Sequence, residues 1–149
     1  MNIPKCGLEL IEREEGLRLA PYQDVAGIWT YGIGNIRDLD GRPVTKDTPP
    51  VHGEEQAQLL LARDAGKSWR AVLALVPVIL SESQAGALLS FTYNLGSGAL
   101  QVSTLRRSIL AGRQPTEDEW TRWCMAGRPL RKSEGLYHRR LHEKALFDS

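Results

Sequence analysis

With 149 residues, 19 Lys and Arg against 18 Asp and Glu, and a net charge of +1, the chain can bury one core but offers no charge excess for neutralising phosphates. Its two cysteines, Cys6 and Cys124, lie far apart without metal-ligand spacing, which favours free, partly buried thiols over a disulfide or zinc site. The opening "MNIPKCGLEL" has no apolar run of the length a secretion signal or membrane span needs, so neither an export signal nor an anchor is expected.

In chain order, Leu8, Ile11 and Glu15 recur at helical spacing behind Pro4, and Gly16 suits a helix end, which predicts a first helix over 4–15. Residues 17–36 change character. Tyr22, Ile28, Trp29, Tyr31 and Ile33 favour strand and Gly27, Gly32 and Gly34 break helix, so a small antiparallel hairpin is predicted. Residues 37–53, rich in Pro, Gly and Asp, read as turns or a further short strand. Beyond Gly53 a long helix carries Ala57, Leu60, Leu61, Ala65, Trp69, Val72, Leu73 and Val76 on one stripe until Pro77.

"SESQ" at 81–84 has the form of a capping box, and the helix behind it places Ala85, Leu88, Leu89, Thr92 and Leu95 on one face before the glycines at 96 and 98. Ser103 and Thr116 open two further helices, the second again with a capping box. Ser133 opens the last, whose apolar stripe is Leu136, Leu141, Ala145 and Leu146. The fold class is α+β, in one domain over 1–149. A β-containing lobe at about 16–53 is joined by the long helix to a helical lobe at about 54–149, which also takes the N-terminal helix. Charge is uneven along the chain: residues 1–100 carry 9 basic and 12 acidic side chains, and residues 101–149 carry 10 and 6. The two parts either meet across a cleft or leave the basic one facing an anionic polymer, unless the arginines simply form a solvated surface.

Three residues near the first helix carry the chemistry. At about 100° per residue, Glu15 falls within the stripe of Leu8 and Ile11 whereas Glu14 lies on its flank. A carboxyl held against apolar neighbours at the negative end of a helix is a candidate proton donor; the plainer alternative is an Arg-paired glutamate. Asp24 sits in the polar turn "YQDVAG", where aspartate is common because it accepts backbone hydrogen bonds. Thr30 lies between Trp29 and Tyr31 and points to the opposite face. Together they have the makings of a glycosidase, in which one carboxyl protonates the leaving oxygen and another works on the far side of the ring. With room for a water between them, Asp24 is a base and Thr30 holds the water; without it, Asp24 is the nucleophile.

Glu15-Gly16, Asp24, Thr30 and "GIGN" at this spacing resemble the active-site signature of phage-type lysozymes, glycoside hydrolase family 24. The resemblance continues through "FTYNLGSGALQVSTLRR" at 91–107, "RWCMAG" at 122–127 and "GLYHRRLHEKALF" at 135–147, in the family's order. It implies a lysozyme-like fold and an inverting muramidase, an endolysin of bacteriophage kind. That enzyme cleaves the β-1,4 bond between N-acetylmuramic acid and N-acetylglucosamine in peptidoglycan, with Glu15 as acid, Asp24 as base and Thr30 as the water-positioning residue. It also implies an arginine reaching the acid, aligned here at Arg139 with Arg140 as fallback. Arg139, Asn94, Ser103 and Thr104 are candidate glycan contacts, although the last three suit capping and turning helices better.

With no His cluster or phosphate-binding glycine loop, and no need of either in acid-base glycoside cleavage, no metal or organic cofactor is expected; the balanced charge predicts no nucleic-acid partner, and a monomer is expected. Accumulation in the host cytoplasm and release to the periplasmic wall through a holin pore complete the expectation. Two departures are visible: Asn35 stands where the family usually has a histidine able to form a charged pair, and "RPLRKSE" at 128–134 replaces a glycine-rich stretch. The alternatives are a non-catalytic glycan-binding protein of lysozyme fold and a lytic transglycosylase.

Overall fold

A computed structural model describes residues 2–149. Helix α1 (Lys5–Glu15) buries Gly7, Leu10 and Ile11. It leads into an antiparallel hairpin of β1 (Arg18–Gln23) and β2 (Trp29–Gly32), with Tyr22 opposite Thr30 and Gln23 opposite Trp29. An irregularity between Arg18 and Tyr22 falls where Pro21 has no N–H for the ladder. Residues 37–53 form turns, with one isolated bridge from Arg37 to Pro43.

Helix α2 (Glu54–Leu75) runs from this hairpin region along the helical lobe. Its buried stripe of Ala57, Leu60, Leu61, Ala65, Trp69 and Val72 agrees with the periodicity, and Val76 is buried just beyond the helix end. Leu73 is the exception, 37% exposed, because it lies about 100° round from Val72. Helix α3 (Glu82–Leu95) opens with the expected capping box of Ser81 and Gln84. Rather than one apolar face it has eight consecutive buried residues, Ala85–Thr92, since α1, α2 and α7 (Glu134–Asp148) enclose it on different sides. Leu88, Leu89 and Phe91 are fully buried, each worth about 1.5–3 kcal/mol. Where α1 crosses α3, a Cβ on Gly7 would come 2.9 Å from the Cα of Gly86, so the two helices meet backbone to backbone.

Between α3 and α7 the chain departs from the prediction in three places. A short helix α4 (Ser97–Val102) follows Gly96 where a break was expected, and α6 (Glu117–Thr121) has only five residues. The chain after α6 forms a two-stranded pair, β3 (Met125–Ala126) with β4 (Arg131–Lys132), the second strand lying in the segment "RPLRK". Helix α5 (Thr104–Leu110) starts at Ser103 as expected.

Helix α7 begins at Ser133, but its buried face is Arg139, Arg140, Glu143 and Phe147. The predicted stripe is peripheral, with Leu136, Leu141 and Leu146 half-buried and Ala145 exposed. Opposite charges that pair within the core can occupy the inward face, a possibility that hydrophobic periodicity does not see. Cys6 and Cys124 carry free thiols.

Candidate active site

Glu15 is the last residue of α1, directly before Gly16, whose N–H closes on the Glu12 carbonyl at 2.9 Å. Its Oε1 accepts a hydrogen bond from Arg139 Nη1 at 2.6 Å, and the two side chains are 19% and 6% exposed. On the other side Gly34 presses against it: a Cβ there would lie 2.6 Å from Glu15 Oε2, and the φ of 73° is one glycine adopts without strain.

Behind Arg139 stands Glu143, fully buried, with one oxygen 3.5 Å from Arg139 Nε and the other 2.6 Å from Arg140 Nε. Ser90 Oγ donates to Glu143 Oε2 at 2.6 Å, and Arg140 Nη2 donates to Asn94 Oδ1 at 2.8 Å. Glu15 and Glu143 thus balance Arg139 and Arg140, which is what lets four charged groups leave water. Burial pulls the Arg140 guanidinium below its ordinary value, and Glu143 opposes that.

Asp24 is held by its own loop. Its Oδ1 accepts from the backbone N–H groups of Ala26 and Ile28 at 2.8 and 2.9 Å, while its N–H donates to the Ile28 carbonyl. This Asx-type turn aims the carboxylate and leaves Oδ2 to the open side. Thr30, 4% exposed, donates its hydroxyl proton to the Ile28 carbonyl at 2.9 Å, so the side chain presents lone pairs only.

Glu15, Asp24 and Thr30 line one cleft of about 580 Å³, between the hairpin and the helical lobe. Tyr22 and Tyr93 also face it. Burial, and then the Glu15 carboxylate, push the Tyr22 phenol above its ordinary value, opposed by Arg18 stacked 3.8 Å over its ring. Burial, and then Asp64, push Tyr93 far up, so its hydroxyl remains a donor, to the Ile33 carbonyl at 2.6 Å. Asn35 is fully buried, accepts from Ile33 N–H, and donates to Asp64 Oδ2 at 2.7 Å and to the Tyr93 hydroxyl at 3.2 Å. A neutral amide thus ties β2 to α2 and α3 where a charged pair was the alternative.

Of the four residues offered as glycan contacts, Asn94 lines the cleft, with its Oδ1 already engaged by Arg140. Ser103 is buried and caps α5, accepting from Arg106 N–H and donating to the Leu100 carbonyl. Thr104 sits beside Glu119, and Arg139 stands behind Glu15 rather than on the cleft wall. Sequence reasoning missed Arg37, Lys67, Ser68 and Tyr93 as wall residues; residues 67 and 68 share a helix face with Asp64, but nothing in the sequence marks that face as the one that lines the cleft. Among the described residues, no three His, Cys, Asp or Glu side chains gather as metal ligands, and no helix is long and apolar enough to cross a membrane.

Residues 12–143 match the family model described as phage lysozyme. The chain is similar to the endolysin of Acyrthosiphon pisum secondary endosymbiont phage 1, 35% identical with 100% of this chain and 99% of that one covered. Among solved structures it resembles an endolysin from Escherichia coli O157:H7 phage FAHEc1, with TM-score 0.88 and 34% identity, covering 99% of this chain and 93% of that one. It also resembles the muramidase domain of SpmX from Asticaccaulis excentricus, with TM-score 0.78 and 32% identity, covering 99% and 98%. Some curated relatives are longer, and the chain spans 54% and 56% of two of them.

Proposed function

The chain belongs to the phage lysozyme family, whose fold it shares and whose peptidoglycan hydrolase activity it carries, and we propose that Glu15, Asp24 and Thr30 perform that hydrolysis by single displacement. Glu15 gives its proton to the glycosidic oxygen leaving N-acetylmuramic acid C1. Arg139 neutralises the carboxylate that forms as the proton departs. Asp24 takes one proton of the attacking water, and Thr30, its own proton committed to Ile28, accepts a hydrogen bond from the other. The water adds from the face opposite the leaving group, which inverts the anomeric centre. Residues 1–149 act as one lysozyme-like domain and as a monomer. As an endolysin it waits in the host cytoplasm and reaches the periplasmic wall through a holin pore.

The observation that carries this reading is that an acid at a helix end, a backbone-wired aspartate and an acceptor-only hydroxyl open onto the same cleft. Purified protein incubated with sacculi should release reducing ends. Glu15→Gln and Asp24→Asn should each lower the rate by about 10²–10⁴-fold; Asp24→Asn should change the unfolding free energy by less than about 0.5 kcal/mol, whereas Glu15→Gln should also lower it, because Arg139 loses a counter-charge. NMR of the first-formed product should show the α anomer. A β anomer would make Asp24 a nucleophile, and anhydro ends would make the protein a transglycosylase.

A further inference from the structure

The cleft contains charges that the hydrolytic mechanism does not use. Of its acidic side chains, Glu15 is paired with Arg139, and Asp64 is taken by Arg63 Nε at 2.9 Å and by Asn35. Lys67, on the turn of α2 after Asp64, has no ion-pair or hydrogen-bond partner among the described residues. Arg37, on the cleft-lining segment that follows β2, makes one side-chain hydrogen bond, from Nη1 to the Gly41 carbonyl at 2.9 Å, which leaves the rest of its guanidinium free. Both line the cleft, and the guanidinium of Arg63, one turn before Lys67, donates to the backbone carbonyls of Arg37 and Asp38. That strap holds the Arg37 segment against α2. Beside it Ile36, half exposed, offers the apolar surface that a sugar ring covers.

A glycan of N-acetylated sugars is neutral and needs no cation. The muramyl unit is the exception, because its lactyl ether ends in a carboxyl that is either free or amide-linked to a peptide bearing carboxylates of its own. We propose that Lys67 and Arg37 form an anion subsite for a carboxylate carried by a muramyl unit, so that the enzyme prefers strands bearing that charge over neutral ones. The subsite rests on the hydrolase reading and determines specificity; neither cation touches the reacting atoms.

The test uses three substrates: intact sacculi, sacculi whose carboxylates have been converted to methylamides, and glycan stripped of peptide by an amidase, which bares the lactyl carboxylate. The parent should cleave the methylamidated strands roughly fivefold to tenfold more slowly than intact ones. The double variant Lys67→Gln/Arg37→Gln, with an unchanged melting temperature, should lose the same factor on intact sacculi and nothing on methylamidated ones. The difference should shrink in high salt. A loss on intact but not on stripped glycan assigns the carboxylate to the peptide alone, and a loss on both shows that the subsite takes the peptide's carboxylate and the bared lactyl one alike. A parent that cleaves all three while the variant loses equally on each, or loses on none, overturns the subsite and leaves the hydrolase reading standing. A parent that releases no reducing ends from any of them overturns both.

Discussion

The two sides of the cleft are wired in opposite ways. On the hairpin side, the side-chain hydrogen bonds of Asp24 and Thr30 stay within four residues of themselves, to the N–H groups of Ala26 and Ile28 and the carbonyl of Ile28. On the helical side, Glu15 is held by Arg139, 124 residues away, and Arg139 leans on Glu143, whose Ser90 partner is 53 residues from it on α3. A locally wired group is separable from the stability of the rest. One set by a buried ion cluster is not, because removing any member leaves another charge unpaired in the core.

The largest effect that this contrast predicts falls on the buried cluster. Glu143→Ala leaves two guanidiniums facing one carboxylate and should cost about 3–5 kcal/mol of stability, measured by denaturant unfolding. If it costs no more than the Asp24→Asn change does, the distinction between the two sides is broken. Gly34→Ala tests the point where the sides touch. The φ of 73° and the missing room at Glu15 Oε2 should together cost about 1–2 kcal/mol. Sacculus turnover should also drop by about tenfold, because the acid is displaced. A thermal melt and a turnover assay on the same preparation check both.

The smallest effect is at Tyr93. Tyr93→Phe removes the hydrogen bond to the Ile33 carbonyl and should cost about 1 kcal/mol at neutral pH. Burial, with Asp64 next, raises the folded phenol above its unfolded value, so its share of stability is complete below about pH 10. That share is lost as pH rises beyond it towards the folded value. The gap between parent and variant should therefore narrow above about pH 10 in unfolding curves taken across pH, and a constant gap would show that Tyr93 ionises no less readily folded than unfolded.

The same division governs how much could be read in advance. The hairpin, the long α2, the capping boxes of α3 and α6 and the Asp24 turn were legible, because each depends on residues within a few positions of one another. Ser103 was visible as a helix cap, and its cap role is what the structure shows. The inward face of α7 was not legible: a 3.6-residue pattern identifies a buried face by its apolar members, and here that face is Arg139, Arg140 and Glu143. Nor was α3's burial on all sides, since Gly86 and Ser90 look like surface residues until α1 and α7 close over them.

The amino-acid order by itself determined the hairpin, the longer helices with their caps, and the local hydrogen bonds that aim Asp24 and Thr30, because each rests on bonds between a residue and its near neighbours. Only the tertiary structure decided that Glu15 faces Arg139, that Glu143 is sealed from water, and that Lys67 and Arg37 open onto one cleft. The free energy of a charge depends on what lies around it in space, and those neighbours are chosen by packing rather than by position along the chain.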